Sequence, residues 1–247
     1  MEVHQHTHTP RKKWTHYFWE FFMLFLAVTL GFFVENQREH YVERQREKQF
    51  IRSLIIDVKL DTASLHMILE RRKQRKLILD SLSYLLNSRD ERKLTNDLYY
   101  YSRFLQRVFP ISFTYNDRTI QQLKNSGGLR LIRNKTAADS IIIYDARVRY
   151  FLYLEQRENN FIDNCLQISN RVFDGRIYDE MLQEDLSIIK PVSSPPLLKT
   201  ASLFQDEFNS SLHTVKSTNI SIMIRIAGVL HDAESLLNTL KKEYHLN

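Results

Sequence analysis

Few side chains in this sequence stand where side chains do chemistry. His4, His6 and His8 alternate ahead of Pro10. Three imidazoles can take a transition metal, but alternation in a polar leader imposes no ligand geometry and reads as a solvated tail. Asp57 and Asp61 stand one helical turn apart and share a face, as paired carboxylate ligands would. Solvated acids on helices share faces just as readily, so the pair reads as solvent-exposed. The one cysteine, Cys165, falls on an apolar stripe and reads as core packing, and a single thiol excludes both a disulfide framework and a multi-cysteine metal centre.

Glu20 interrupts an otherwise apolar run. Facing a neighbouring helix or a wet lumen, it would be a proton or cation site. One turn below Tyr17, it can instead reach up to lipid headgroups. The chain contains no GxxxxGK[ST], GxGxxG, GxSxG, HExxH or CxxC pattern, so the expectation is a non-enzymatic protein with no catalytic, cofactor-binding or metal-binding residue and no cofactor.

The basic balance raises nucleic acid as a partner. The 247 residues hold 35 Lys and Arg against 29 Asp and Glu. Removing the three basic and two acidic residues of the first 34 leaves 32 against 27, a mild excess without a recognition fold, so no nucleic-acid partner is expected. The run Arg71-Arg72-Lys73-Gln74-Arg75-Lys76 reads as a solvated helix face, or a patch for anionic lipid or an acidic partner.

The elements that position these groups are helical. Glycine and proline number five each, and neither occurs between Gly31 and Pro110. That poverty in helix breakers disfavours loop-rich α/β folds. Phe21 to Val34 carries no charge, and counting from Tyr17 the apolar run reaches about 27 Å as a helix, close to a bilayer's hydrocarbon thickness. Trp14, Tyr17 and Trp19 supply an interfacial aromatic group. The run ends Phe32-Phe33-Val34-Glu35, which lacks the small residues of a cleavage site, so residues 14–34 read as an uncleaved signal anchor. Its partner is the bilayer. Within it, Glu20, Leu24, Ala27 and Gly31 fall on one stripe, and Ala27-x-x-x-Gly31 is a small-xxx-small pattern that lets helices pair closely. Arg11, Lys12 and Lys13 form the denser basic flank, which predicts the N-terminus inside the cytoplasmic membrane and the large domain in the periplasm.

Beyond the anchor, the domain plan is a polar cytoplasmic leader (1–13), the anchor (14–34), a stalk and main bundle (35–184), a Pro/Ser loop (185–200) and C-terminal helices packed on the bundle (201–247). Phe50, Leu54, Val58, Leu65, Leu69, Leu77, Leu82 and Leu85 define the first helix's apolar stripe, with Asn87 to Asp90 as its end. The second helix covers Glu91 to Val108, with Leu94, Leu98, Tyr101 and Leu105 on one face. Asn116 or Asp117 can cap a short helix ended by Gly127-Gly128, and Asn134 can cap a long one with Tyr150, Leu154, Phe161, Cys165, Ile168 and Val172 inside, ending near Gly175. Two closing helices follow, carrying Phe204 to Val215 and Ile222 to Leu240. The fold class is all-α: a transmembrane helix continuing into a stalk and a bundle of four to six helices. The heptads are too irregular to assign a coiled coil to the stalk.

Two stretches carry a family likeness. Glu20-Phe-Phe-Met-Leu-Phe-Leu-Ala-Val-Thr-Leu-Gly-Phe-Phe-Val-Glu-Asn-Gln-Arg-Glu39 joins an acidic residue, an apolar run and an abrupt acidic exit. Tyr115-Asn-Asp-Arg-Thr-Ile-Gln-Gln-Leu-Lys-Asn-Ser-Gly-Gly-Leu-Arg-Leu-Ile-Arg-Asn134 is the more specific. Together they resemble an uncharacterised bacterial family of single-pass membrane proteins with a helical soluble domain of unknown function. The resemblance covers residues 14 to about 175, implies an N-terminal anchor and supplies no activity. In the second stretch, Leu123 and Ile132 are expected in the core, with Arg130 and Arg133 as contacts for an anion or acidic partner. The functional expectation is a membrane-anchored interaction or sensor-like helical module, a homo-oligomer or the partner of another membrane protein. The alternative is a homo-oligomeric channel or transporter accessory subunit built on Glu20, Ala27 and Gly31.

Overall fold

The computed structural model describes residues 14–88 and 95–246. The leader with His4, His6, His8 and Arg11 to Lys13 lies outside the described residues, as does Leu94. Among the described residues all regular structure is helical, save one isolated bridge between Leu182 and Ile188. The helices are α1 (Trp14–Leu86), α2 (Thr95–Val108), α3 (Arg118–Asn125), a 3-10 turn (Gly128–Leu131), α4 (Lys135–Ser169), α5 (Gly175–Met181) and α6 (Ala201–Tyr244). The chain divides into two compact units, one ending at Gln49 and one beginning at Phe50.

In the first unit, α1 carries an 18-residue window apolar enough to cross a membrane, none of it buried. Trp14, Phe21, Phe25 and Phe32 all stand exposed. A soluble core helix hides such side chains; a lipid-facing one displays them all round.

In the second unit, α1 and α4 run in the same sense and α6 runs back between their ends. Two apolar cores stack along them. One gathers Leu54, Val58 and Leu65 of α1, Tyr144, Val148 and Phe151 of α4, and Ile226, Val229 and Leu236 of α6. The other gathers Leu79 and Leu82 of α1, Ile162 and Cys165 of α4, and Leu212 and Val215 of α6, with Tyr99 and Leu105 of α2 and Phe173 and Tyr178 around α5. Asn134 caps α4 as expected, its side chain accepting from Ala137 N at 2.9 Å. Gly127 takes φ 66°, the left-handed conformation that ends α3.

Between the two cores lies a polar layer. Arg72 Nη1 donates to Glu158 Oε2 at 2.7 Å, Arg72 Nη2 donates to Glu155 Oε1 at 3.0 Å, and Asn219 of α6 donates through Nδ2 to the Arg72 carbonyl at 3.2 Å. Arg75 Nη1 lies 3.4 Å from Glu158 Oε1. Both arginine side chains are 0% exposed. The run from Arg71 to Lys76 is therefore not a solvated face: two of its arginines point inward, where two glutamates neutralise them.

Other expectations are corrected as well. Leu77 and Tyr150 are exposed, because the inward stripes take Ile78 and Leu79 on α1 and Val148 and Phe151 on α4 instead. Helix α4 stops at Ser169, and Val172 packs from the turn leading to α5. The two closing stretches are one 44-residue helix. Nothing between Val215 and Ile222 breaks it, and Asn219 has a use inside.

Replacing Arg72 with leucine leaves Glu155 buried without its ion pair and Glu158 with Arg75 alone, with an expected cost of about 3–5 kcal/mol. Lys73→Gln, one residue away but exposed, is expected to cost under about 0.5 kcal/mol. Denaturant midpoints of the two variants check the difference.

Candidate functional site

Several buried charged side chains of the bundle converge on one segment, the connector over residues 109–117 and the first turn of α3. Extended backbone inside a helical bundle has no ladder of its own, so its polar groups need other partners. Arg75 Nη2 donates to the Phe109 carbonyl at 2.5 Å, and Arg71 Nη2 donates to the Pro110 carbonyl at 2.8 Å. Phe113 N donates to Glu155 Oε2 at 3.1 Å. Asn116 donates to Asp61 Oδ1 through its backbone N at 2.9 Å and through Nδ2 at 2.8 Å. Thr119 N donates to Asp57 Oδ2 at 3.2 Å, and Thr119 Oγ1 bonds the same oxygen.

Asp57 and Asp61 are thus buried, not solvated. The nearest alternative caps, Asn116 and Asp117, leave the first N–H groups of α3 unserved, and Asp57 caps the helix from across the bundle. Asp117 Oδ2 instead accepts from Gln121 Nε2 at 2.9 Å. Tyr144 O–H donates to Asp61 Oδ2 at 2.8 Å, and Tyr115 O–H donates to Asp145 Oδ1 at 3.1 Å. Asp145 also pairs with Lys124 and, at 3.1 Å, with Arg149. Ile111, Phe113, Ile120, Leu123 and Ile132 fill the apolar core beside these bonds.

The electrostatics follow from burial. Desolvation raises the pKa of Asp61 and Glu155 even though each accepts several hydrogen bonds. Desolvation lowers Arg75 to about 10, with Glu158 offsetting part of the loss. Burial also pushes Asp145 up, but bonds from Arg149 and Lys124 outweigh it and hold the carboxyl below its ordinary value. Burial beside Asp61 drives the Tyr144 phenol up, so it stays a donor. Among the described residues no three His, Cys, Asp or Glu stand together as a metal set. Chemically, the arrangement clamps a segment.

The residues singled out from the sequence lie elsewhere. On α1, Glu20, Ala27 and Gly31 are all exposed. His16 Nε2 lies 3.1 Å from Glu20 Oε1, one turn toward the N-terminus, and a methyl group added to Gly31 would meet nothing within 4 Å. Arg130 and Arg133 are exposed beside the clamped segment, and Arg130 Nε reaches the Gly127 carbonyl at 3.4 Å. Arg130 is held by its own turn. The sequence reading missed Arg72, Arg75, Glu155, Glu158 and Asn219. A signal was present: positions 65, 68, 72, 75, 79 and 82 alternate by three and four, as do 148, 151, 155, 158, 162 and 165. The charges sit inside the apolar repeat.

No family model, curated protein or solved structure matches the chain. Its function is read from the geometry.

The opposed pKa shifts give the bundle an unusual acid profile. Asp145, held low, contributes stability that is complete above its ordinary value of 3.8 and lost as pH falls further. Asp61 and Glu155, held high, contribute stability that is complete below their ordinary values of 3.8 and 4.5 and lost as pH rises through their raised ones. Thermal melts are expected to hold or rise slightly from about pH 7 to about pH 5, then fall steeply below 3.8. Asp145→Asn is expected to blunt the acid fall, and Glu155→Gln to flatten the upper limb.

Proposed function

We propose that this chain is a membrane-anchored, non-enzymatic interaction module. A single-pass anchor holds it in the cytoplasmic membrane with the N-terminus inside, and the helical bundle is presented on the periplasmic side, where it binds a partner. The observation that carries the membrane part is the wholly exposed apolar window on α1. Water does not tolerate that much uncovered phenylalanine, and lipid does.

Binding is favoured over chemistry by where the ionisable groups are spent. Asp57, Asp61, Asp145, Glu155 and Glu158 are buried and engaged with N–H groups, hydroxyls, Arg or Lys of the same chain. A general base needs a lone pair turned toward a substrate. These acids turn theirs toward the fold. The likeness of residues 20–39 and 115–134 to an uncharacterised bacterial family of single-pass proteins agrees with a bacterial inner membrane and assigns no reaction. The basic flank before the span supports the orientation.

Topology is the direct test. A phosphatase active only outside the cytoplasm, fused after Asn247, is expected to be active, while a fluorescent protein that matures only inside is expected to stay dark. The reverse pattern would put the bundle in the cytoplasm and overturn the orientation. Recovery of the chain in the soluble fraction after alkaline carbonate extraction would overturn the anchor itself.

A further inference from the structure

Helix α1 carries a second apolar seam on its outer side. From Phe50 onward its inner positions, including Leu54, Val58, Leu65, Leu79 and Leu82, repeat by three and four and fill the bundle. Back to back with them, Ile56, Leu60, Ala63, Met67, Leu77 and Tyr84 follow the same alternation once positions 70, 74 and 81 are counted in. The five large side chains are between 54% and 74% exposed. On the outer face of a soluble bundle these positions are normally polar. The equivalent face of α6 is largely so, with Thr214, Ser217, Ser221, His231 and Ser235. On α4 an outer apolar run of Ile143, Tyr150 and Tyr153 gives way to Arg157 and Asn160.

The spacing selects the occupant. A seven-residue repeat drifts about 20° per heptad around a straight helix, so the seam from Ile56 to Tyr84 winds left-handed through about 80° over about 42 Å. A flat surface cannot follow it, but a helix that supercoils with α1 can. With roughly 100 Å² open on each of five large side chains, a symmetric pair removes about 1,000 Å² from water, the lower edge of a specific interface.

Charge on the seam is light enough for an identical, parallel partner. Glu70, the one acidic residue on the seam, pairs with Lys73 at 2.7 Å in its own chain. In register each Glu70 faces Glu70 of the second copy, and the repulsion is offset by Lys73 of its own chain and Arg71 of the other, while Lys59 flanks Ser64 and Lys73 flanks Ile78. His66 also flanks a cation, Arg71. We propose that this outer seam is the interface of a parallel homodimer, with α1 of one copy coiled along α1 of another. The parallel sense rests on the membrane-anchored reading, because two anchors in one bilayer point the same way and hold the copies at high local concentration.

Disulfide trapping on the full-length chain in its own membranes tests the seam, with the wild type, whose Cys165 is buried, as the blank. Ala63→Cys and Leu60→Cys are expected to form dimers quickly under mild oxidation, since facing residues of a parallel coil sit within disulfide reach. Ser235→Cys, exposed on α6, is expected to lag far behind. Met67→Glu touches no core side chain, so its circular dichroism melt should be unchanged while the Ala63→Cys cross-link is lost. Cross-linking at Ala63→Cys no faster than at Ser235→Cys would overturn the proposal. So would preferential cross-linking at Ile143→Cys, which would put the interface on α4, or a cross-link that survives Met67→Glu. Carbonate extraction of the same membranes reports on the anchor separately, so failure of the seam and failure of the anchor are told apart.

Discussion

Two guanidinium groups held in the middle of the bundle set the register of everything around them. Arg72 and Arg75 enter a space with almost no water, where an unpaired charge costs several kcal/mol. Glu155 and Glu158 on α4, Asn219 on α6 and the Phe109 carbonyl meet them. Sliding α4 by one turn would leave one glutamate opposite the arginines and carry the other into an apolar core. An apolar seam of leucine and isoleucine tolerates such a slip much better, since one branched side chain replaces another. The ion layer thus serves alignment more than net stability. It divides the interior into two cores that no helix can enter out of step.

The same charges reach sideways. Glu155 joins Arg72 on one side and the Phe113 amide on the other, and Arg75 joins Glu158 and the Phe109 carbonyl. Alignment of the three long helices and capture of the connector are therefore one physical event. Further toward Phe50, Asp57 and Asp61 continue it, taking the amides of Thr119 and Asn116. The end of the connector and the first turn of α3 are fixed to α1 because the backbone amides of Asn116 and Thr119 are bonded to its buried acids. Arg130 and Arg133 are exposed further along the same segment.

Helix α1 contributes to every part of this plan. Its first unit displays an apolar surface suited to lipid, and its second carries the inner seam, the ion layer, two aspartates that hold the connector and α3, and an outer seam of its own. A helix that spends one face on a core can still recruit through the opposite face, provided the outward residues remain apolar. In the proposed dimer, anchors sharing one bilayer supply the proximity that a modest seam needs.

Much of the architecture was legible in the residues. An apolar helix long enough to cross a membrane, the helical class, the Asn134 cap, the turn at Gly127 and the burial of Leu123, Ile132 and Cys165 follow from local rules, because hydropathy, capping and backbone freedom act over a few positions. The rest depended on partners far away in sequence. Arg72 and Glu158 are 86 residues apart, and Asp57 and Thr119 are 62 apart. Read along the chain, Arg72, Glu158 and Asp57 each look like a solvated charge, and the first two make the heptads look irregular. Inside the bundle Arg72 and Glu158 occupy positions of the apolar repeat and complete it. The amino-acid sequence by itself determined which stretches become helix and which of them can face lipid. Only the tertiary structure decided which charges lie inside, since the free energy of a buried charge depends on the partner that meets it, and no local pattern names that partner.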